Sequence, residues 1–371
     1  MNATGNSLRL DQLLNALESI APTRHAEAWD NVGLIAGAPR QPVSRVMLTI
    51  DYTPEVAAEA EAEGCDAVVA YHPPIFEAVK RLVAGSLVFD AVRRGVALYS
   101  PHTALDVAEG GTNDVLADAI GLGPDRAPLR LAQTKAGQYK LVTFVPENDA
   151  ERVSRAMFDA GAGRIGDYRM CSFRSPGTGT FFGDESTNPA VGERGRLEEA
   201  REVLVETVVP IAKVDAVIRA LRASHPYEEP AFDLQQLAAP PEGLGLGRVG
   251  DFAEPVERGE LVERLKRELG LAHVLVAGPA EGAVRRAAVC AGACGNLLDD
   301  AIAARAQFYV TGEMRHHDAL KAARAGVTVV CTLHSNSERA VLTRLKRRLA
   351  DSLPELPVIL SRQDRDPFAV R

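Results

Sequence analysis

The sequence lacks the features that would assign it to several common classes of protein. No apolar run approaches the roughly eighteen residues that a membrane-spanning helix needs. Five cysteines, an odd number spread over 371 residues, do not make a disulfide framework. No basic segment followed by an apolar segment opens the chain, and no P-loop is present. We therefore expect a cytoplasmic protein with reduced thiols and no membrane partner.

Positive charge is also scarce. The chain has 42 lysines and arginines against 50 aspartates and glutamates, which gives a formal net charge of −8. A dedicated nucleic-acid binder needs a basic surface to neutralise phosphates, and no long basic block supplies one here. The charge balance therefore argues against a nucleic-acid partner, and we expect a small-molecule substrate instead.

Histidines and carboxylates follow three short apolar runs that predict buried strands. The runs are 67–70, 96–100 and 327–333, and the polar residues after them are His72, His102, Asp106, His334 and Glu338. Ligands collect at the carboxyl ends of parallel strands, and imidazole with carboxylate suits zinc, manganese, iron or nickel. A lone histidine at a strand end is more often a hydrogen-bonded or surface residue, so the hypothesis of a mixed nitrogen and oxygen metal site depends on three coincident ends.

Two further patterns carry less weight. The glycines of 245–250 match a dinucleotide-binding fingerprint, but they follow a proline-rich loop and enter a strand-like segment before any helix. We therefore predict no nucleotide cofactor there. Cys290 and Cys294 are four residues apart without a second cysteine pair, so we expect them to pack in a turn.

An ordered series of motifs extends over nearly the whole chain. Its segments are 28–34, 48–51, 72–76, 102–106, 290–296, 311–317, 334–338 and 366–368. This series resembles the GTP cyclohydrolase I type 2 family, the Nif-three-like dinuclear metal proteins, in the long form that carries an inserted domain. The resemblance implies an α/β metal-binding core of two lobes and a homo-oligomer, namely a toroidal hexamer.

The resemblance also implies a set of metal ligands. One divalent ion would be held by His72, Asp106 and a bridging Glu338, and a second by His334, the same Glu338 and position 71. The family has a histidine at that position, whereas this chain has Tyr71. A phenol with a pKa of about 10 is a poor ligand at neutral pH, so one complete site is predicted. A second ion requires Tyr71 to bind as a tyrosinate.

The expected activity is metal-dependent hydrolysis of a nucleotide or phosphate-type substrate by metal-activated water. His102, Glu313 and His317 are the predicted catalytic residues, either moving a proton or orienting a ligand histidine. The alternative is a non-catalytic ring scaffold or metal chaperone.

The pattern of elements predicts three segments. Residues 1–132 form an α/β lobe, 137–240 form an inserted ferredoxin-like unit that within the long family form looks CutA-like, and 241–371 form a second α/β lobe that completes the metal site. Within the insert we expect the glycine-rich stretch 161–195 to be irregular. For 225–230, loop packing or an oligomer contact is at least as good an interpretation as metal binding. Residues 238–243 are predicted to be a return linker.

Overall fold

The computed structural model describes residues 8–131, 138–165, 168–237 and 244–369. The chain divides into two compact units, which we call the core unit (Met1–Ala132 with Pro241–Arg371) and the inserted unit (Gln133–Pro240). The predicted segment ends at 132, 137, 240 and 241 and the predicted linker 238–243 lie outside the described residues.

The first segment of the core unit alternates strands with helices. Its strands are β1 (Leu8–Arg9), β2 (Gly33–Ala36), β3 (Pro42–Val43), β4 (Val46–Thr49), β5 (Ala67–Ala70), β6 (Ala97–Ser100) and β7 (Arg130–Leu131). Its helices are α1 (Leu10–Ile20), α2 (Pro54–Ala62), α3 (Leu87–Arg94), α4 (His102–Val107) and α5 (Thr112–Ile120). Helix α2 begins at Pro54, where the Thr53 hydroxyl accepts a hydrogen bond from the Val56 amide and proline occupies the first turn.

The inserted unit contains β8 (Gln138–Pro146), α6 (Ala150–Asp159), β9 (Ser172–Phe182), β10 (Leu197–Pro210), α7 (Val214–Ser224) and β11 (Phe232–Gln236). These strands form an antiparallel sheet in the order β11-β8-β10-β9. The βαββαβ order confirms the predicted ferredoxin-like fold of the insert. The expectation that 161–195 is irregular was wrong in part, because β9 lies within it and pairs along eleven residues of β10.

The last segment of the core unit again alternates strands and helices. Its strands are β12 (Gly245–Leu246), β13 (Arg248–Glu257), β14 (Leu275–Ala277), β15 (Ala283–Cys290), β16 (Phe308–Thr311), β17 (Thr328–Cys331) and β18 (Val358–Leu360). Its helices are α8 (Arg258–Leu269), α9 (Leu298–Ala303), α10 (His316–Arg324), α11 (His334–Glu338) and α12 (Ala340–Ser352).

Two five-stranded sheets form the core unit, in the orders β18-β4-β5-β6-β2 and β13-β15-β16-β17-β14. Strands β4, β5 and β6 are parallel, as are β15, β16 and β17. Every residue of β4, β5, β6, β16 and β17 is buried, which is why these strands appear in the sequence as unbroken apolar runs. The predicted α/β class of the two lobes is confirmed.

The two sheets exchange helices. Helix α12 follows the second sheet but packs Val341, Leu345 and Leu349 against the core of the first sheet. Helix α5 belongs to the first segment but packs Leu116 and Ile120 into the core of the second sheet. This exchange brings the two halves of the chain together, although more than two hundred residues separate His72 from His334 in sequence. No helix among the described residues has both the length and the apolar character to cross a membrane.

Candidate metal centre

The candidate site lies where strands of both sheets end. His72 follows β5, His102 begins α4 after β6, and His334 begins α11 after β17. The ring centroid of His72 is 5.3 Å from that of His102 and 5.3 Å from that of His334. The predicted strand ends therefore meet at one place.

Three of the predicted ligands form a compact donor set. His72, His334 and Glu338 each offer one ligand atom, and these atoms lie within 4.8 Å of one another. Oε2 of Glu338 is 3.2 Å from Nε2 of His72, and Oε1 of Glu338 is 3.4 Å from Nε2 of His334. Each oxygen of the buried Glu338 carboxylate therefore faces a different imidazole. A bridging role for Glu338 stays a prediction.

Carboxylates orient the imidazoles. Nδ1 of His72 is 2.9 Å from Asp51 Oδ1, Nδ1 of His334 is 2.8 Å from Glu313 Oε1, and Nδ1 of His102 is 2.7 Å from Asp30 Oδ1. A carboxylate at Nδ1 holds the proton on that nitrogen and leaves the Nε2 lone pair for a metal ion. Asp51 and Glu313 thus position the candidate ligands His72 and His334.

Two buried atoms of the site have no hydrogen-bond partner among the described residues. These are Nε2 of His72 and Oε2 of Glu338, which lie 3.2 Å apart. Burial lowers the pKa of His72, but the carboxylates of Asp51 and Glu338 outweigh it and raise the pKa to about 10. At neutral pH and without an ion, His72 is therefore charged, and a divalent ion held by nitrogen and oxygen would replace the proton on Nε2.

Tyr71 and Asp106, the other two predicted ligands, are paired with each other. The fully buried Tyr71 hydroxyl donates a hydrogen bond to Asp106 Oδ1 and lies 3.2 Å from Thr112 Oγ1. Burial and the charges of Asp106 and Glu338 hold the pKa of Tyr71 well above its usual range, so it is a neutral phenol. Burial, together with Glu338, raises the pKa of Asp106 to about 6. Metal binding by these two residues stays a prediction.

The predicted catalytic residues have different surroundings. Glu313 is bonded to His334, and the His102 ring is 5.8 Å from that of Tyr71. His317 is exposed at the start of α10, and its ring packs edge-on against His316. Catalytic roles for these residues stay predictions.

Asp51 and Asp30 are contacts that the sequence analysis did not assign. Asp51 follows β4, the neighbour of β5, so its position at another parallel strand end was the signal available for it. Asp30 lies in a loop, and the signal available for it was its place in the motif segment 28–34. Its side chain is inaccessible to solvent and also accepts from the Thr103 amide at 3.1 Å.

Backbone geometry at the site is strained. His102 has φ of 27° and Leu333, immediately before His334, has φ of 71°. Residues other than glycine adopt positive φ at a cost of order 1 kcal/mol or more, and such backbone strain is found mostly at functional sites. The surrounding sheets hold both histidines in place despite that cost.

The model of the Duf34/NIF3 (NGG1p interacting factor 3) family matches residues 8–367. The chain belongs to the Duf34/NIF3 family. Two relatives named GTP cyclohydrolase 1 type 2 homolog are similar to this Duf34/NIF3 chain. The Mycobacterium tuberculosis protein is 39% identical over 339 residues (90% of this chain, 89% of that one), and the Bacillus subtilis protein is 34% identical over 371 (98% of each).

Solved structures extend the comparison of this Duf34/NIF3 protein. A Bacillus cereus protein related to NIF3 is 33% identical, with a TM-score of 0.65 over 98% of this chain and 99% of that one. A Staphylococcus aureus protein is 25% identical, with a TM-score of 0.77 and the same coverage. The family resemblance expected from the motifs is thus confirmed, and His72, His334 and Glu338 are the family member's candidate metal site.

Gly292 offers a test of the space inside this site. A Cβ at Gly292 would lie 3.0 Å from Glu338 Oε1 and 3.6 Å from His334 Nε2. We expect Gly292→Ala to weaken metal binding about tenfold, a loss typical of disturbing the support of a ligand. Competition with a metal-binding dye measures the effect.

Gly326→Ala is the matched control for that variant. Gly326 has φ of +75°, close to the +73° of Gly292, but an added Cβ would have nothing within 4 Å. It therefore carries the same backbone cost of about 1 kcal/mol without touching the site. Equal metal affinity in the two variants would show that Gly292 does not shape the metal centre.

Proposed function

We propose that this Duf34/NIF3 protein is a metal-dependent hydrolase that acts on a nucleotide or phosphate-type substrate. The observation that carries the proposal is the Glu338 carboxylate, whose two oxygens face the Nε2 atoms of two carboxylate-oriented histidines. This donor set suits zinc, manganese, iron or nickel. The names of the relatives point to a nucleotide, and the substrate comes from those names rather than from the geometry.

In this mechanism His72, His334 and Glu338 would hold the ion. A bound divalent ion supplies a water whose pKa is low enough to give hydroxide near neutral pH. Asp51 and Glu313 keep the two imidazoles in the tautomer that presents Nε2. His102 is oriented by Asp30, and its ring is 5.3 Å from that of His72. In the proposed reaction His102 would receive a proton from the attacking water.

Hydrolysis of GTP and of p-nitrophenyl phosphate tests the proposal. The protein is stripped with a chelator, reloaded with one metal at a time, and assayed for phosphate release and for loss of the purine absorbance. Turnover that returns with metal and is lost in His102→Gln with metal content unchanged supports the hydrolase. Complete metal loading without turnover of either substrate class contradicts it.

A second candidate is a metal-binding scaffold or metal chaperone. The hydrogen bond from Tyr71 to Asp106 favours this function, because two of the five predicted ligands bind each other instead of a second ion. A chaperone would transfer its ion to an acceptor chelator faster than it turns over any ester. The predicted toroidal hexamer would serve either function.

Tyr71→His tests how many ions the centre holds. We expect about one ion per chain in the wild type and about two in the variant, because an imidazole supplies the neutral nitrogen that the phenol lacks. Elemental analysis of protein purified without chelator measures the ratio. Tyr71→Phe removes the hydroxyl without adding a donor and should remain at one. Two ions in the wild type would mean that Tyr71 does not limit the second site.

A further inference from the structure

The inserted unit has a cavity on one face of its sheet. Strand pairing sets Glu202 opposite Gly177, Leu204 opposite Ser175, and Leu204 also opposite Phe144. Directly paired residues point to the same side of a sheet, so these residues share a face. The other face carries Leu141, Val145 and Val205, which pack with α6 and α7. Among the described residues of the inserted unit, no helix packs on the first face, and a cavity of about 570 Å³ lies there.

Two loop segments enclose the cavity from the side opposite the sheet. Residues 187–190 and 227–229 both line it, and the amide of Asn188 donates to Glu228 Oε1 at 3.0 Å. This bond joins the two segments over the sheet. The volume falls within the range of about 300–1,000 Å³ that is usual for small-molecule sites.

The lining has a one-sided chemistry. It includes three carboxylates and four aromatic rings, and no lysine, arginine or histidine is among its described residues. The carboxylates are those of Glu202, Glu228 and Glu229, and the rings are those of Phe144, Phe181, Phe182 and Tyr227. Acidic groups among aromatic faces attract a cation both by charge and through the ring quadrupoles.

Glu202 is held in place at the floor of the cavity. The Tyr227 hydroxyl donates to Glu202 Oε1 at 2.7 Å. A Cβ at Gly179 would lie 2.2 Å from Glu202 Oε2, so a larger residue there would require the carboxylate to move. At Gly177 an added Cβ would have nothing within 4 Å, which marks open space on the same face. Two glycines of β9 thus lie beside the Glu202 carboxylate, which the Tyr227 hydroxyl positions.

The spread of the carboxylates favours an organic cation over a metal ion. In the part of the chain that the structure describes, the compact donor group is the one at His72, His334 and Glu338, in the other unit. The three cavity carboxylates do not converge in that way. A calcium or magnesium ion needs several oxygens around one point, whereas an organic cation can reach carboxylates that lie apart.

We propose that this cavity binds a small organic cation, a protonated amine or guanidinium carried on an apolar skeleton. Its N–H groups donate to the carboxylates of Glu202 and Glu229, and its skeleton packs against Phe144 and Phe181. The site is separate from the metal centre, so it stands whether or not the chain is a hydrolase.

Isothermal titration calorimetry of the full chain with agmatine tests the proposal. Agmatine carries a guanidinium and an ammonium on a four-carbon chain. We expect saturable binding at one site per chain, weakened about tenfold in Glu202→Gln, since a charge-assisted hydrogen bond is lost. Glu229→Gln, a change at an exposed residue, should weaken binding in the same direction. Neutral butylurea should not bind.

Two variants separate cavity binding from general attraction to an acidic surface. Glu199→Gln removes the same charge from an exposed residue of β10 that alternation places on the opposite face, and it should leave binding unchanged. Gly177→Val keeps every charge but fills the open space, and it should abolish binding.

Four outcomes overturn the proposal. The first is that neither agmatine nor spermidine binds the wild type at millimolar concentration, and the second is that Glu199→Gln and Glu202→Gln weaken agmatine binding equally. The third is that Gly177→Val binds agmatine as tightly as the wild type. The fourth is that calcium displaces agmatine stoichiometrically. If Gly177→Val changes its oligomeric state but still binds agmatine, the proposal is overturned as well, and the result shows that a second copy covers this face.

Discussion

Glu338→Gln is expected to empty the metal centre and to weaken metal affinity by more than about a hundredfold. Removing a residue that only supports a metal ligand usually lowers metal affinity about 10–100-fold. The expected loss is larger here, because the two oxygens of Glu338 themselves face both imidazoles. The variant should also lose any metal-dependent turnover. Elemental analysis and a dye competition assay measure the affinity.

The same variant should keep its fold. The charge of Glu338 raises the pKa of the buried Asp106, so the amide removes a repulsion between buried carboxylates. Saturating metal at about a hundred times its Kd should stabilise the wild type by about 2.7 kcal/mol and should leave the variant unchanged. Thermal unfolding with and without metal measures this difference. Glu254→Gln, an exposed carboxylate on β13, is the charge-matched control. Wild-type affinity in Glu338→Gln would rule out this assignment of the site.

Asp114→Asn is expected to destabilise the core unit by about 3–5 kcal/mol, the usual cost of leaving a buried charge without its partner. Asp114 on α5 accepts from Nε and Nη2 of Arg248, both at 2.9 Å, and from Arg126 Nε at 2.9 Å. Asp114 and Arg248 are both buried. Arg248 also donates to the carbonyl oxygens of Gly245 and Gly247, so its position ties β13 to α5.

Urea unfolding followed by fluorescence measures this loss in the core unit alone. Trp29 is the one tryptophan of the sequence and belongs to that unit. Asp251→Asn is the matched control, because Asp251 pairs with Arg286 at 2.9 Å on a more exposed surface. Such a pair contributes about 0–1 kcal/mol. Equal losses in the two variants would mean that burial does not set the strength of the Asp114 pair.

The Asp114 pair should also make stability depend on pH. Burial raises the pKa of Asp114, but the hydrogen bond and charge of Arg248 outweigh it and hold the pKa below 3.8. The folded pKa is therefore below the unfolded one, so the unfolded state binds the proton first as the pH falls. The contribution is fully present above about pH 5 and is lost as the pH falls through the folded pKa. The stability difference between wild type and Asp114→Asn should shrink between pH 7 and pH 3, and a constant difference would contradict this origin.

Local pattern was enough to predict the strands that carry the metal ligands. Strands β5, β6 and β17 are buried on both faces, so their sequences are continuous apolar runs that end abruptly at polar residues. Local pattern did not predict β9. This strand lies at a sheet edge, and its glycines and proline obscure the alternation of apolar and polar residues that would mark a strand.

The sequence by itself determined which side chains stand at the strand ends, and the order of its motifs determined the family. Tertiary structure alone decided how those side chains are paired. The bonds of Asp51 to His72, Asp30 to His102 and Tyr71 to Asp106 join residues 21, 72 and 35 positions apart. Their formation depends on the orientation of side chains from neighbouring strands and loops, which the period of a single strand does not encode. Likewise, the exchange of α5 and α12 between the sheets, which brings His334 and Glu338 to His72, depends on packing between distant segments.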